Sequence, residues 1–239
     1  MPTPARTARP RCWGRSVADA VGKGNAYVRA FTGGAFAENT YLVTCAETNA
    51  AVLVDPGAAT TQAIVAARDA GAKIEAILLT HAHVDHVEGL GLAKRETRAP
   101  VHLHPADLPI YGAVPQQAQW FGIRMEPLPP IDEQLADGQV FRFGACELGV
   151  RFTPGHAPGH VVLVGEGFAL VGDTVFLGSI GRTDLPGGDL RSLLASIHER
   201  ILTLPEATVL HNGHGPATTV VRERATNPFL VPGFAERHG

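Results

Sequence analysis

From Tyr27 onward, apolar positions alternate between short β-branched runs and stretches with helical spacing. Thr40–Thr44 and Ala51–Val54 read as strands, the second ending in the turn signal Asp55-Pro56-Gly57. Thr60 or Thr61 is placed to cap a helix running through Ala70, and Gly71 stands where a C′ glycine would. Ile74–Thr80 is an apolar run of strand length that leads directly into a histidine cluster. A short helix is predicted over Val87–Arg95 and a strand over Val101–His104, whereas residues 105–130, rich in Pro and Gln, read as an irregular excursion. Strands are predicted at Gln139–Phe143, Cys146–Phe152, His160–Gly165 and Phe168–Gly172. Asp189 caps a helix to about Leu204, with Leu190, Leu193, Leu194, Ile197 and Ile201 on one face. A last strand spans Thr208–Leu210. This order of elements predicts an α/β or α+β class and one large domain.

Two segments refine that picture. Residues 1–26 carry five basic residues against one acid, and are expected to be a disordered N-terminal extension preceding a domain over 27–239. No apolar run is long enough for a transmembrane helix, so no membrane partner is expected. The net charge of −3 gives no global attraction to nucleic acid, which leaves a small-molecule substrate as the expected partner and oligomeric state open. Cys12, Cys45 and Cys146 are odd in number and lack CxxC spacing. They read as ordinary thiols in a reducing compartment, the cytoplasm.

The candidate chemistry lies in the 11 histidines, which are bunched. Thr80-His81-Ala82-His83-Val84-Asp85-His86 puts three imidazoles and a carboxylate immediately after a strand. So many ionisable groups do not enter an apolar core unpaired. Neutral imidazole and carboxylate suit divalent zinc, iron or manganese. Three more polar positions follow strands in Gly-rich turns: His156 in Thr153-Pro154-Gly155-His156, Asp173 in Val171-Gly172-Asp173, and His214 in Gly213-His214-Gly215. Their common placement predicts one edge of the sheets where all of them meet.

An H-x-H-x-D-H segment, then PGH, GD and GHG in that order, resembles the metallo-β-lactamase superfamily over nearly all of the chain from Tyr27. The resemblance implies an α+β four-layer αβ/βα sandwich of two mixed sheets flanked by helices. It implies two divalent metal ions, zinc first, with iron or manganese as alternatives. His81, His83 and His156 would bind one metal, Asp85, His86 and His214 the other, and Asp173 would bridge them. His160, His211, His198, His102 and His104 fall outside that set and read as structural.

Phe36–Val43, Val54–Gly57 and Gly172–Phe176 resemble the glyoxalase II (hydroxyacylglutathione hydrolase) group. Gly178–Gly188 and Arg222–Phe229 resemble its short bacterial branch, which lacks the helical C-terminal domain. That resemblance implies thioester hydrolysis, as of S-D-lactoylglutathione, by a metal-bridging hydroxide with Asp85 as its orienting, catalytic carboxylate. Arg182 in Gly181-Arg182-Thr183-Asp184 is the candidate for substrate carboxylate binding, although Asp184 replaces the family tyrosine. The same loop also resembles mononuclear iron persulfide dioxygenases, which keeps that enzyme as an alternative; a lactonase is a further hydrolytic alternative. A metal-free binding protein is the non-enzyme alternative.

Overall fold

The structure is a computed structural model and describes residues 24–231 and Phe234. Most of the expected N-terminal extension, residues 1–23, lies outside the described residues. The first half of the chain builds one sheet. Its strands are β1 (Ala26–Gly33), β2 (Glu38–Cys45), β3 (Ala50–Val54), β4 (Lys73–Leu78), β5 (Val101–Leu103) and β6 (Glu133–Gln134), hydrogen-bonded in that order. β1–β2–β3 pair antiparallel and β3–β4–β5–β6 parallel. The parallel pairs need crossovers, supplied by α1 (Thr60–Asp69), α2 (Val84–Val87) with α3 (Leu90–Thr97), and α4 (Leu108–Phe121).

The second half builds the other sheet from β7 (Val140–Phe143), β8 (Cys146–Phe152), β9 (Val161–Val164) and β10 (Phe168–Gly172). A small hairpin of β11 (Val175–Phe176) and β12 (Ser179–Ile180) follows, then α5 (Leu190–Ser196), β13 (Val209–Asn212), β14 (Thr218–Thr219) and α6 (Val220–Thr226). The strand order is β14-β13-β10-β9-β8-β7. Only β10–β13 is parallel, so this sheet too is mixed.

Side-chain alternation sorts these strands into layers. Val52, Val54 and Leu78 point between the sheets, where they meet Leu148, Val150, Leu163 and Leu170. Leu53, Ile77 and Leu79 point the other way, onto Ile64, Leu90 and Ile110 of the helices. Val162, Val164, Ala169 and Val171 pack on Leu193 and Ile197. Three apolar layers therefore hold four layers of secondary structure, helix–sheet–sheet–helix. Strands buried on both faces explain why the sequence shows continuous apolar runs there.

Three local expectations are corrected. Thr60 does not cap α1; the N-cap is Ala59, and the Thr60 hydroxyl donates to the Gly57 carbonyl at 2.7 Å. The helix expected over Val87–Arg95 is two short helices broken at Glu88-Gly89. The excursion at 105–130 contains the 14-residue α4. The helix after Asp189 does form, with the Asp189 side chain accepting from Ser192 N at 2.7 Å, but passes into a π turn at Ile197–Ile201. There the buried Arg151 guanidinium donates to the Arg200 carbonyl at 2.7 Å.

Candidate metal centre

Strand directions decide where the chemical groups meet. β8 and β10 are both antiparallel to β9, and β13 is parallel to β10, so their C-terminal ends share one edge. β4 ends at that edge as well, because Thr80 beyond it accepts from Val161 N at the start of β9, at 2.8 Å. The four loops that follow these strands carry His81 to His86, His156, Asp173 and His214.

The candidate residues converge in two groups. The Nε2 atoms of His81 and His156 are 3.2 Å apart, and His83 Nδ1 is 2.9 Å from His156 Nε2. Asp85, His86 and His214 form the second group, with His214 Nε2 at 3.3 Å and His86 Nε2 at 3.9 Å from Asp85 Oδ2. Asp173 stands between them. Its Oδ1 is 3.4 Å from His86 Nε2, and its Oδ2 is 3.6 Å from His156 Nε2 and 3.4 Å from His214 Nε2. Gly213 is required at this spot, since a Cβ there would lie 2.0 Å from Asp173 Oδ1.

The surrounding hydrogen bonds fix which nitrogen each imidazole presents. His156 Nδ1 faces the Arg182 carbonyl at 2.8 Å and His214 Nδ1 the Phe36 carbonyl at 3.0 Å. A carbonyl only accepts, so both Nδ1 atoms carry a proton and both rings turn Nε2 toward the centre. His86 Nδ1 faces Asp55 Oδ2 at 3.1 Å, with the same result. The Thr80 hydroxyl donates to Asp55 Oδ2 at 2.6 Å and so accepts from His81 Nδ1 at 3.0 Å, which frees His81 Nε2. His83 points its Nδ1 to the same centre. Outer partners of this kind orient metal-binding imidazoles.

Asp55 was read from the sequence only as a turn residue. In the structure it is a buried hub that also accepts from Thr80 N at 2.7 Å. Asp107 was likewise missed, lying in the segment read as irregular. Its carboxylate accepts from Ala82 N at 2.7 Å and Gly159 N at 2.6 Å, clamping two of the loops together. His160 is buried with both nitrogens engaged, by Thr153 Oγ1 at 2.9 Å and by Asp173 N at 3.1 Å. With both engaged, His160 presents no nitrogen to the candidate donors. His102, His104 and His211 pack against Phe141, Phe152 and Tyr41 respectively. Arg182 contributes its carbonyl to His156, while its guanidinium is exposed and held by Asp184 at 2.7 Å through two bonds.

Electrostatics divide the cluster. Burial holds His81 and His156 below the usual imidazole range, and with the neighbouring His156 brings His83 down to about 3. Burial works the same way on His86 and His214, but Asp173 and Asp85 outweigh it, raising His86 and bringing His214 to about 10. Burial opposes ionisation of Asp173, yet His86 and His214 hold it well below the carboxylate range. Without metal, protonated imidazoles are thus the counter-charge to these carboxylates. The donors fit divalent cations: His86 Nε2 and Asp173 Oδ1 are buried with no hydrogen-bond partner, and nitrogen with carboxylate oxygen suits zinc, iron or manganese.

Fold and donors together define a sandwich with a candidate two-cation site at one edge. The chain belongs to the metallo-β-lactamase superfamily, whose family model matches residues 33–214. It is 40% identical over 187 residues to the "Probable metallo-hydrolase YqgX" of Bacillus subtilis, covering 75% of this chain and 86% of that protein. It is 34% identical to the "Hydroxyacylglutathione hydrolase GloC" of Haemophilus influenzae, covering 82% of this chain and 94% of the relative. Among solved structures, TTHA1623 in a di-iron-bound form superposes with a TM-score of 0.78 at 40% identity, over 85% of this chain and all of that one. The BLEG-1 B3 metallo-β-lactamase gives 0.77 at 35% identity, over 86% and 100%.

Proposed function

We propose that this protein is a dinuclear metal-dependent hydrolase of thioesters, with S-D-lactoylglutathione the first substrate to test. The observation that carries the dinuclear reading is Asp173, whose two oxygens face donor atoms from both groups at 3.4–3.6 Å. His81, His83 and His156 would hold one cation, Asp85, His86 and His214 the other, and Asp173 both. Such a pair supplies Lewis acidity and an activated water at neutral pH. The protein's own groups then do the positioning. Asp85, held ionised by His86 and His214 against the effect of burial, is suited to orient the attacking water by a hydrogen bond. Phe36 and Phe121 are in edge contact at 5.1 Å, and Phe176 lies 6.0 Å from the His214 ring, so apolar surface for a substrate stands beside the centre. Arg182 is a candidate for a substrate carboxylate, which would compete with Asp184 for its guanidinium.

The likeness to the GloC hydrolase and the glyoxalase II phrases in the sequence support thioesters over β-lactams. The test is steady-state hydrolysis of S-D-lactoylglutathione by the wild type and Asp173→Ala. Turnover is expected, with a loss of about 100-fold or more in the variant. An unchanged kcat in Asp173→Ala contradicts the dinuclear reading. Turnover of a β-lactam or a lactone alone, or oxygen uptake with glutathione persulfide, contradicts the thioesterase.

A further inference from the structure

The end of the sandwich remote from the metal centre holds a second chemical feature. Cys45 closes β2 and Cys146 opens β8, so one sits on each sheet. Glu38, at the other end of β2, bridges to His214. Seven residues of extended chain separate it from Cys45, about 23 Å. Both cysteines are buried in the apolar layer between the sheets. The two thiols interact across this layer. Cys146 Sγ also donates to the Asn25 carbonyl at 3.2 Å, the same oxygen that receives Ala46 N at 2.9 Å. The cover over the pair is thin. Asn25, Glu47, Thr48 and Ala145 around it are all exposed.

We propose that Cys45 and Cys146 are a modification site: a dithiol that a hydroperoxide oxidises to a reversible disulfide joining the two sheets. The two sulfurs differ as such chemistry needs. Burial opposes ionisation of Cys45, but bonds from Thr48, Cys146 and the Glu47 and Ala145 backbone bring its thiol down to about 6. Burial, with the Cys45 neighbour, pushes Cys146 up to about 12. Cys45 is therefore the attacking thiolate. It displaces hydroxide from the peroxide as the O–O bond breaks and an S–O bond forms, giving a sulfenic acid. Cys146 then attacks that sulfur, the S–S bond forms, and water leaves with the Cys146 proton. Overall, two thiols and one peroxide give one disulfide and two waters. The exposed cover leaves the buried pair one layer below solvent, a short path for an oxidant as small as hydrogen peroxide. The crosslink closes a long loop, so it restrains the unfolded chain and raises the unfolding temperature.

The test treats full-length, metal-loaded protein with hydrogen peroxide, alkylates free thiols, and maps linked peptides by mass spectrometry. The expected product is a Cys45–Cys146 link that dithiothreitol reverses, with a melting midpoint several degrees above that of the reduced protein. In Cys146→Ser the sulfenic acid is expected to persist on Cys45 and to be trapped by dimedone. A Cys12→Ser background removes the third thiol as an alternative partner. Cys45 and Cys146 both alkylated after peroxide treatment, or Cys45 oxidised in the wild type without linkage to Cys146, would overturn the proposal. Peptide mapping of the wild type decides the matter even if a variant fails to fold.

Discussion

Single residues around the centre differ in how visible they are in sequence. The seven candidate donors stand in recognisable spacing after strands, so residue type and order suffice to find them. Asp55 and Asp107 do not, because their role comes from distant partners: Asp55 reaches Thr80 and His86, and Asp107 reaches Ala82 and Gly159. Asp107→Asn keeps one acceptor and turns an amide donor toward a peptide N–H. That leaves a buried N–H unpaired, at about 1–3 kcal/mol, and is expected to weaken metal binding by roughly 10–100-fold. The effect depends on pH. Burial raises the Asp107 pKa from 3.8 to about 6, against the pull of its two backbone N–H bonds. A raised carboxyl stabilises the fold fully below the unfolded value, and that contribution is lost as pH rises through the folded one. Urea unfolding of metal-free wild type and Asp107→Asn should therefore show the wild-type advantage falling by up to about 3 kcal/mol between about pH 4 and pH 7. An advantage that grows with pH contradicts the assignment.

Among elements, the strands were legible because period-two alternation and apolar runs set them directly; Cys146–Phe152 and Phe168–Gly172 have the predicted limits. α4 was not. Pro105, Pro109 and Pro115 mask it, yet Pro109 lies in the first turn, where a missing N–H costs nothing. Pro115 costs one bond that the buried face of Ile110, Tyr111, Val114 and Ala118 outweighs. The i, i+4, i+8 spacing of Ile110, Val114 and Ala118 was the available signal. Through α4, Gln117 accepts from Val84 N at 3.2 Å and Phe121 meets Phe36, so this helix shapes the site. Contact between elements also fixes the His156 loop. Gly155 has φ +134°, and a Cβ there would lie 2.2 Å from Leu193 N of α5. Gly155→Ala is expected to cost about 1–3 kcal/mol in backbone strain, besides the clash, and to lower both the melting midpoint and metal retention. A midpoint equal to that of the wild type would show that the loop is not pinned on α5.

At the scale of the whole molecule, two mixed sheets bring the ends of four strands to one edge, and donors from both halves of the chain meet there. The sequence could suggest that edge, because each donor follows a strand, but only strand direction and pairing bring the four loops together. Among the described residues no helix is long and apolar enough to cross a membrane. Because metal would tie both sheets together, its removal acts on the whole fold. At a free concentration 1,000 times Kd a bound ion adds about 4 kcal/mol. Chelation is thus expected to lower the melting midpoint on the order of 10 °C for a chain of this size, and an unmoved midpoint would count against a site shared by the two halves. The central claim, a two-metal centre bridged by Asp173, is tested most directly by elemental analysis of the purified protein beside its Asp173→Ala variant. The account predicts two divalent ions per chain in the wild type and fewer in the variant. One ion per chain in both would contradict it.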